Sequence, residues 1–323
     1  MSEKINPRDI FGKTLVKLGE LYSEIVVLDA DLQGSTKTKE FMKKFPERYR
    51  NLGVSEQDMI GTAAGLALVG KKPYVCTFAI FATGRAWEQL RQSIASQGLD
   101  VKIIGTHGGF VGEDGASHHG IEDIGLVREL PMVCVVPSIE EVEDILYVTA
   151  EDKNPTYIRL FRHSVEKKFD PKSLRFETGS TSLNDSQVKY IKPYKIFDGG
   201  DVTVVSNGYM LSVAYDVCKE LRNIGIEPEL ISMPYVKPLD DELLLESVSK
   251  TKRWVSIEDH RREGGLGEAL AGVLIEKYPV EGRIISIPSD EIIGSGNYRE
   301  LYEQSDLDVK GIKETIYRFC KYK

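Results

Sequence analysis

The chain has 323 residues, 41% of them hydrophobic, with a formal charge of −8 and a pI near 5.4, so it can bury the cores of two domains and lacks the basic footprint of a nucleic-acid binder. Cys76, Cys134, Cys218 and Cys320 lie far apart with no CxxC spacing, which favours buried thiols in a reducing cytoplasm. The opening MSEKINPRD has no apolar leader core and no run of 18 apolar residues occurs, so a soluble cytoplasmic protein is expected.

Asn6-Pro7 opens a helix to about Leu21, with Pro in the first turn and Ile10, Leu15, Leu18 and Leu21 at helical spacing. Residues 25–28 read as a short buried strand ending in DADLQGST, where Gly34 and Ser35 make a turn offering hydroxyl and amide donors to an anion. Capping of the next helix by Ser35 or Thr36 is the equal alternative. NLGVSEQDM, residues 51–59, runs into GTAAGLALVG, a small-residue helix that permits close packing on another helix of this chain or of a second one. Glu56 is then a carboxylate at a subunit boundary, or simply an acidic residue favoured by the helix dipole.

Residues 73–82 form a strand and a loop before the helical pattern TGRAWEQLRQSIA. Phe78 and Phe81, three apart past the strand end, suit a flat heteroaromatic ring or ordinary core packing. The buried strand 101–104 leads into residues 106–123, THGGFVGEDGASHHGIED, which carry three of the five histidines with Glu113, Asp114, Ser117 and five glycines. Open α/β sheets place ligands at such a strand end, and glycines let backbone approach a ligand closely. A long loop with few disorder-type residues reads as functional rather than merely solvated. Next come a strand at 132–136, a helix opened by Pro137-Ser138, and a strand at 156–160. Arg162 falls just past that last strand, where a cation can clamp a phosphate or simply face solvent.

Periodicity fades over 167–193, the expected linker between domains 1–166 and 194–323. Strands at 202–205, 229–231, 254–257 and 284–287 then alternate with helices near 211–223, 240–249 and 266–277. The expected fold is α/β, two doubly wound domains with mainly parallel sheets. Gly264, Gly265 and Gly267 miss the GxGxxG spacing, so tight packing is expected there rather than dinucleotide binding.

In order and spacing, LGVSEQDM, TFAIFATGRA and THGGFVGEDGASHHGIED resemble the C-terminal portion of transketolase, a pyrimidine-binding domain plus a C-terminal domain, over nearly the whole chain. The resemblance implies thiamine diphosphate and Mg²⁺ as cofactors. It assigns Glu56 to N1′ of the aminopyrimidine, favouring the tautomer whose imino nitrogen takes the thiazolium C2 proton. Phe78 and Phe81 would hold the ring, with Asp31 also on the cofactor side. His107, Asp114 and His118 would contact the sugar around the cleaved bond, with His107 and His118 counted as catalytic. Arg162, Ser35 and Arg8 would bind the terminal phosphate.

Two departures qualify the match. Gly84 stands where transketolases carry an aromatic residue, leaving the pocket more open or filled by a neighbour. The GDG motif followed by Asn, which holds the metal and diphosphate, is nowhere in the chain, so no metal ligand is expected here. The resemblance therefore implies one subunit of a split transketolase, paired with a diphosphate-binding chain in an α2β2 assembly that transfers two-carbon ketol units between sugar phosphates. A deoxyxylulose-phosphate-synthase-like chain, a 2-oxo-acid dehydrogenase β subunit and a non-catalytic partner of a thiamine enzyme are the alternatives.

Overall fold

Asn6 accepts from the backbone N–H of Arg8, and Pro7 takes the first turn, where no N–H is needed, so the first helix starts where the sequence places it. The computed structural model describes residues 4–170, 177–183, 186–289 and 294–321. The first half alternates strand and helix: β1 (Lys4–Ile5), α1 (Pro7–Leu21), β2 (Ile25–Asp29), α2 (Gln33–Thr36), α3 (Lys39–Lys44), β3 (Tyr49–Asn51), α4 (Glu56–Leu68), β4 (Lys72–Phe78), α5 (Trp87–Gln89), β5 (Lys102–Gly108), α6 (Asp123–Arg128), β6 (Val133–Val135), α7 (Val142–Glu151) and β7 (Thr156–Phe161). After β8 (Val165–Glu166) come β9 (Thr178–Leu183), β10 (Ser186–Ile191), β11 (Tyr194–Phe197), β12 (Val202–Ser206), α8 (Gly208–Arg222), β13 (Pro228–Ser232), β14 (Tyr235–Lys237), α9 (Glu242–Thr251), β15 (Arg253–Arg261), α10 (Leu266–Lys277), β16 (Glu281–Ile287), α11 (Tyr298–Gln304) and α12 (Val309–Lys321).

Two large sheets result, as the α/β pattern requires, beside the two-stranded pairs β1-β8 and β9-β10. The first has the order β14-β6-β7-β5-β4-β2-β3, parallel except for β14. Strands β5 and β7 are buried along their whole length because helices cover both faces. The second has the order β11-β13-β12-β15-β16, parallel except for β11. One apolar core fills the space between the sheets, from Met59 and Ile60 of α4 to Leu266 and Leu270 of α10. Separate cores lie on the far faces, under α1 and α7 and under α8 and α12.

The structure departs from the sequence reading in four places. Strand β14 comes from the second half of the chain yet closes the edge of the first sheet. The linker segment holds an antiparallel hairpin, β9 with β10, whose Val188, Tyr190 and Ile191 join the core under α7; its residues 171–176 and 184–185 lie outside the described residues. Helix α7 starts at Val142 rather than at Pro137-Ser138; residues 139–141 before it form a turn in which Glu141 accepts from the Ser138 N–H in the manner of a capping box. The stretch after Phe78 widens into two π-helical segments, Phe81–Arg85 and Leu90–Ala95, on either side of α5. Such segments recur at functional sites.

The glycine turn before α10 packs as expected: the buried Glu258 carboxylate accepts from the N–H groups of Leu266 and Gly267 and fills the place an anion would take. Burial pushes its pKa up to about 8 despite those donors. Cys76, Cys134 and Cys218 are buried and Cys320 half-buried, all as free thiols. Among the described residues no helix is long and apolar enough to cross a membrane.

A buried arginine ties the halves together. Arg159 of β7 donates to Asp123, to Asp259 on β15, and to the carbonyl oxygens of Gly120 and Asp259. Burial opposes its charge, but Asp123 and Asp259 outweigh it and push its pKa up. These bonds clamp the end of the histidine loop between the two sheets.

Candidate active site

Parallel strands of one sheet end on one edge, and here β4, β5 and β7 deliver Phe78, His107 and Arg162 to it. His107 projects because β5 bulges. The register against β7 shifts between Thr106 and Gly108, and His107 takes a left-handed φ of 62°. Its ring lies 3.9 Å from that of Phe78, and Phe81 stacks on Phe78 at 6.0 Å with 15° between planes. His118 meets the edge of the pair, 5.2 Å from Phe81. The loop closes on itself through the Gly109 and Gly120 pair. A Cβ on Gly109 would sit 2.4 Å from Asp259 Oδ2, and one on Gly120 2.8 Å from Ala79. The glycines at these two positions thus serve close approach to the protein itself, not to a ligand as the sequence suggested.

Glu56 stands at the start of α4, 1% exposed. Its Oε1 accepts from Thr77 Oγ1 at 3.1 Å and its Oε2 from Arg85 Nη1 at 2.6 Å. Arg85 also lies over the Phe81 ring, 4.3 Å from the centroid. The space left by Gly84 is open, since a Cβ there would meet only Ile80 Cδ1, at 3.5 Å. Arg85 therefore bridges Glu56 and the Phe81 ring, and a planar group with N–H donors already makes these contacts. That suits an aminopyrimidine.

His107 is neutral at any ordinary pH. Burial first, then the Arg8 and Arg162 charges, push its pKa down to about 2. Thr106 Oγ1, which donates to Thr77 O, lies 2.9 Å from Nδ1, and Arg8 Nη1 lies 3.1 Å from Nε2. Arginine can only donate, so the network assigns the proton to Nδ1 and leaves Nε2 an acceptor. The folded pKa lies below the unfolded value near 6.5, so this residue's contribution to stability is present above pH 6.5 and lost as pH falls below it. Compared with His107→Gln, the wild-type chain should lose about 2 kcal/mol of relative stability between pH 6.5 and 5. Denaturant midpoints of the two proteins at each pH check this, and parallel profiles would mean that His107 protonates in place.

Arg8 and Arg162 meet at the outer end of the pocket. Arg8 donates to the carbonyl oxygens of Ser35 and Arg162, and burial together with the Arg162 charge brings its pKa down to about 10. Arg162 donates to Val111 O and pairs with Asp114. Both arginines line a cleft of about 320 Å³ whose far wall is Asn297 and Tyr298 of the second half. His163 stacks on Tyr298 at 3.6 Å and donates to Phe110 O, and burial brings its pKa down to about 3.

Four residues of the sequence motifs sit differently. Ser35 meets Arg8 through its carbonyl oxygen, and neither Ser35 nor Thr36 caps a helix; Thr36 and Thr38 donate to buried Asp29. Asp31 is exposed and accepts from Asn51. His119 is a buried pin, accepting from Val111 N–H and facing Gly294 O. Arg85, Thr77 and Tyr298 went unread, although Arg85, four residues past Phe81 on a helical pattern, carries the spacing that puts both on one face.

The family description for the transketolase pyrimidine-binding domain matches residues 3–168, and that for the transketolase C-terminal domain matches residues 195–312. A chain of Methanocaldococcus jannaschii described as a transketolase C-terminal section is 38% identical over 95% of this chain and 93% of its own length. An apulose-4-phosphate transketolase subunit of Phocaeicola vulgatus is 32% identical over 97% of both chains. A solved split-gene transketolase, an inactive β4 tetramer, superposes with a TM-score of 0.84 at 39% identity, covering 98% of each chain. These matches define a two-domain chain of the thiamine-diphosphate enzymes. The chain belongs to the transketolase family, and its end-to-end relatives include separate sections and subunits.

Proposed function

We propose that this chain is the catalytic, pyrimidine-binding subunit of a split transketolase of the cytoplasm, which joins a diphosphate- and Mg²⁺-binding chain as α2β2 and moves two-carbon ketol units between sugar phosphates. The observation that carries this reading is a chain of contacts: buried Glu56 reaches the Phe81 ring through Arg85, Phe81 stacks on Phe78, Phe78 packs on neutral His107, and His107 meets Arg8, which lines a cleft with Arg162. When bound, thiamine diphosphate supplies the carbon nucleophile for breaking and forming bonds beside a carbonyl. Glu56 would hold the proton at N1′ of its aminopyrimidine, and the Phe81 ring, with Phe78 stacked behind it, would fix the ring plane. His107 Nε2, which accepts from Arg8 in this structure, would accept from a sugar hydroxyl once Arg8 turns to the phosphate, and His118 would approach from the loop. Asp114 shares Arg162 with the substrate's phosphate, and Arg8 adds the second charge. Asp31 and Ser35 support the rim from outside these contacts.

Arg162→Ala should raise KM for phosphorylated ketoses about 10- to 100-fold and leave unphosphorylated ones nearly unchanged, the value of one charge-assisted hydrogen bond. Steady-state kinetics of the two-chain enzyme on matched sugar pairs test it. Equal losses on both sugar types would make Arg162 structural, and no transfer to any ketose or aldose phosphate would favour the non-catalytic partner.

A further inference from the structure

The guanidinium of Arg85 makes the same two contacts that the pocket reading assigns to an aminopyrimidine. Its Cζ lies 4.3 Å from the Phe81 centroid, and its Nη1 donates to Glu56 Oε2 at 2.6 Å. Both groups are planar, both present N–H donors at an edge, and both stack on an aromatic face. Phe78 offers no second platform. The His107 ring sits 3.9 Å from it and the Phe81 ring 6.0 Å away, nearly parallel, whereas a third ring between two needs about 3.5 Å on each side.

Arg85 also has room to leave. Its side chain is 42% exposed, while its partner carboxylate is 1% exposed. The residue beside it is Gly84, around which only one side-chain atom, Ile80 Cδ1, approaches within 4 Å of a Cβ position.

We propose that Arg85 is a displaceable occupant of the pyrimidine pocket, so that the aminopyrimidine ring binds Glu56 and Phe81 only when the guanidinium swings outward. The inference rests on the pocket reading above. A ligand that needs a partly populated open pocket binds more weakly by that fraction, so removing the occupant tightens binding. Thiamine is the suitable probe, because without its diphosphate its affinity rests on this pocket alone.

The test is calorimetric titration of thiamine into the full chain and into its Arg85→Ala, Arg85→Gln, Phe81→Ala and Glu56→Gln variants. Arg85→Ala should bind about threefold to tenfold more tightly than wild type, the effect of losing a half-exposed competing ion pair. Arg85→Gln keeps a planar donor and should tighten less; it also carries the test if Arg85→Ala fails to fold with Glu56 left buried and uncompensated. As a second readout, phenylglyoxal should modify Arg85 of the wild-type chain faster when thiamine is present. Unchanged, weaker or undetectable thiamine binding by both Arg85 variants, or protection of Arg85 by the ligand, overturns the proposal and makes Arg85 a fixed wall. If Phe81→Ala and Glu56→Gln bind as wild type, the pocket reading itself fails instead.

Discussion

Glu56→Gln is expected to leave the assembled enzyme folded and to reduce ketol transfer about 10²- to 10⁴-fold, the usual weight of a positioned acid/base group. The amide matches the carboxylate in shape, and its oxygen can keep the bond from Thr77 Oγ1. It cannot exchange a proton with a ring nitrogen in the same way. It also loses the ion pair with Arg85, so the variant should unfold at a slightly lower temperature while its turnover collapses. A loss confined to KM for the cofactor would assign Glu56 to binding alone. Unimpaired turnover at saturating cofactor would remove it from the mechanism.

The parts of the site that could be read in the sequence sit on strand ends. Phe78, His107 and Arg162 follow apolar runs whose length and β-branched content identify buried parallel strands, and such strands fix where the next residue points. Residues placed by irregular helix or by contacts between domains were less legible. Arg85 hides in a stretch that widens to π-helix, and Arg159 reads as one more strand residue until Asp123 and Asp259 arrive from 36 and 100 positions away. The hairpin at β9 and β10 reads as linker because most of its residues are Ser, Thr, Gln, Gly and Lys, and among its described residues Leu183, Val188, Tyr190 and Ile191 pack on the core. Strand β14 has three residues, too few for a pattern, and its place on the far sheet edge is set by tertiary packing. Ser35 illustrates a different limit, since the sequence suggests a hydroxyl donor where the fold uses the carbonyl oxygen.

Activity should appear only when two different chains are combined. On the proposed reading Glu56 and Phe81 would hold the pyrimidine end of thiamine diphosphate, but the GDG and Asn motif for its metal-diphosphate end does not occur in these 323 residues, and that end carries most of the charge-based affinity. Alone, the chain should bind the cofactor weakly and self-associate. Val54, Leu68 and Val69 at the ends of α4 are 72%, 71% and 73% exposed, and a Cβ on Gly61 or Gly65 of that helix would meet nothing within 4 Å. A small-residue helix face flanked by exposed apolar side chains stays in water unless another subunit covers it. Light scattering should therefore show at least a dimer for this chain alone. Calorimetry should show thiamine diphosphate and Mg²⁺ binding that tightens by orders of magnitude when a chain carrying the GDG and Asn motif is added, and a coupled assay should show transfer only in the mixture. Tight cofactor binding and full transfer by this chain alone would sink the split-enzyme reading, and a mixture that binds the cofactor without transferring would leave it a scaffold.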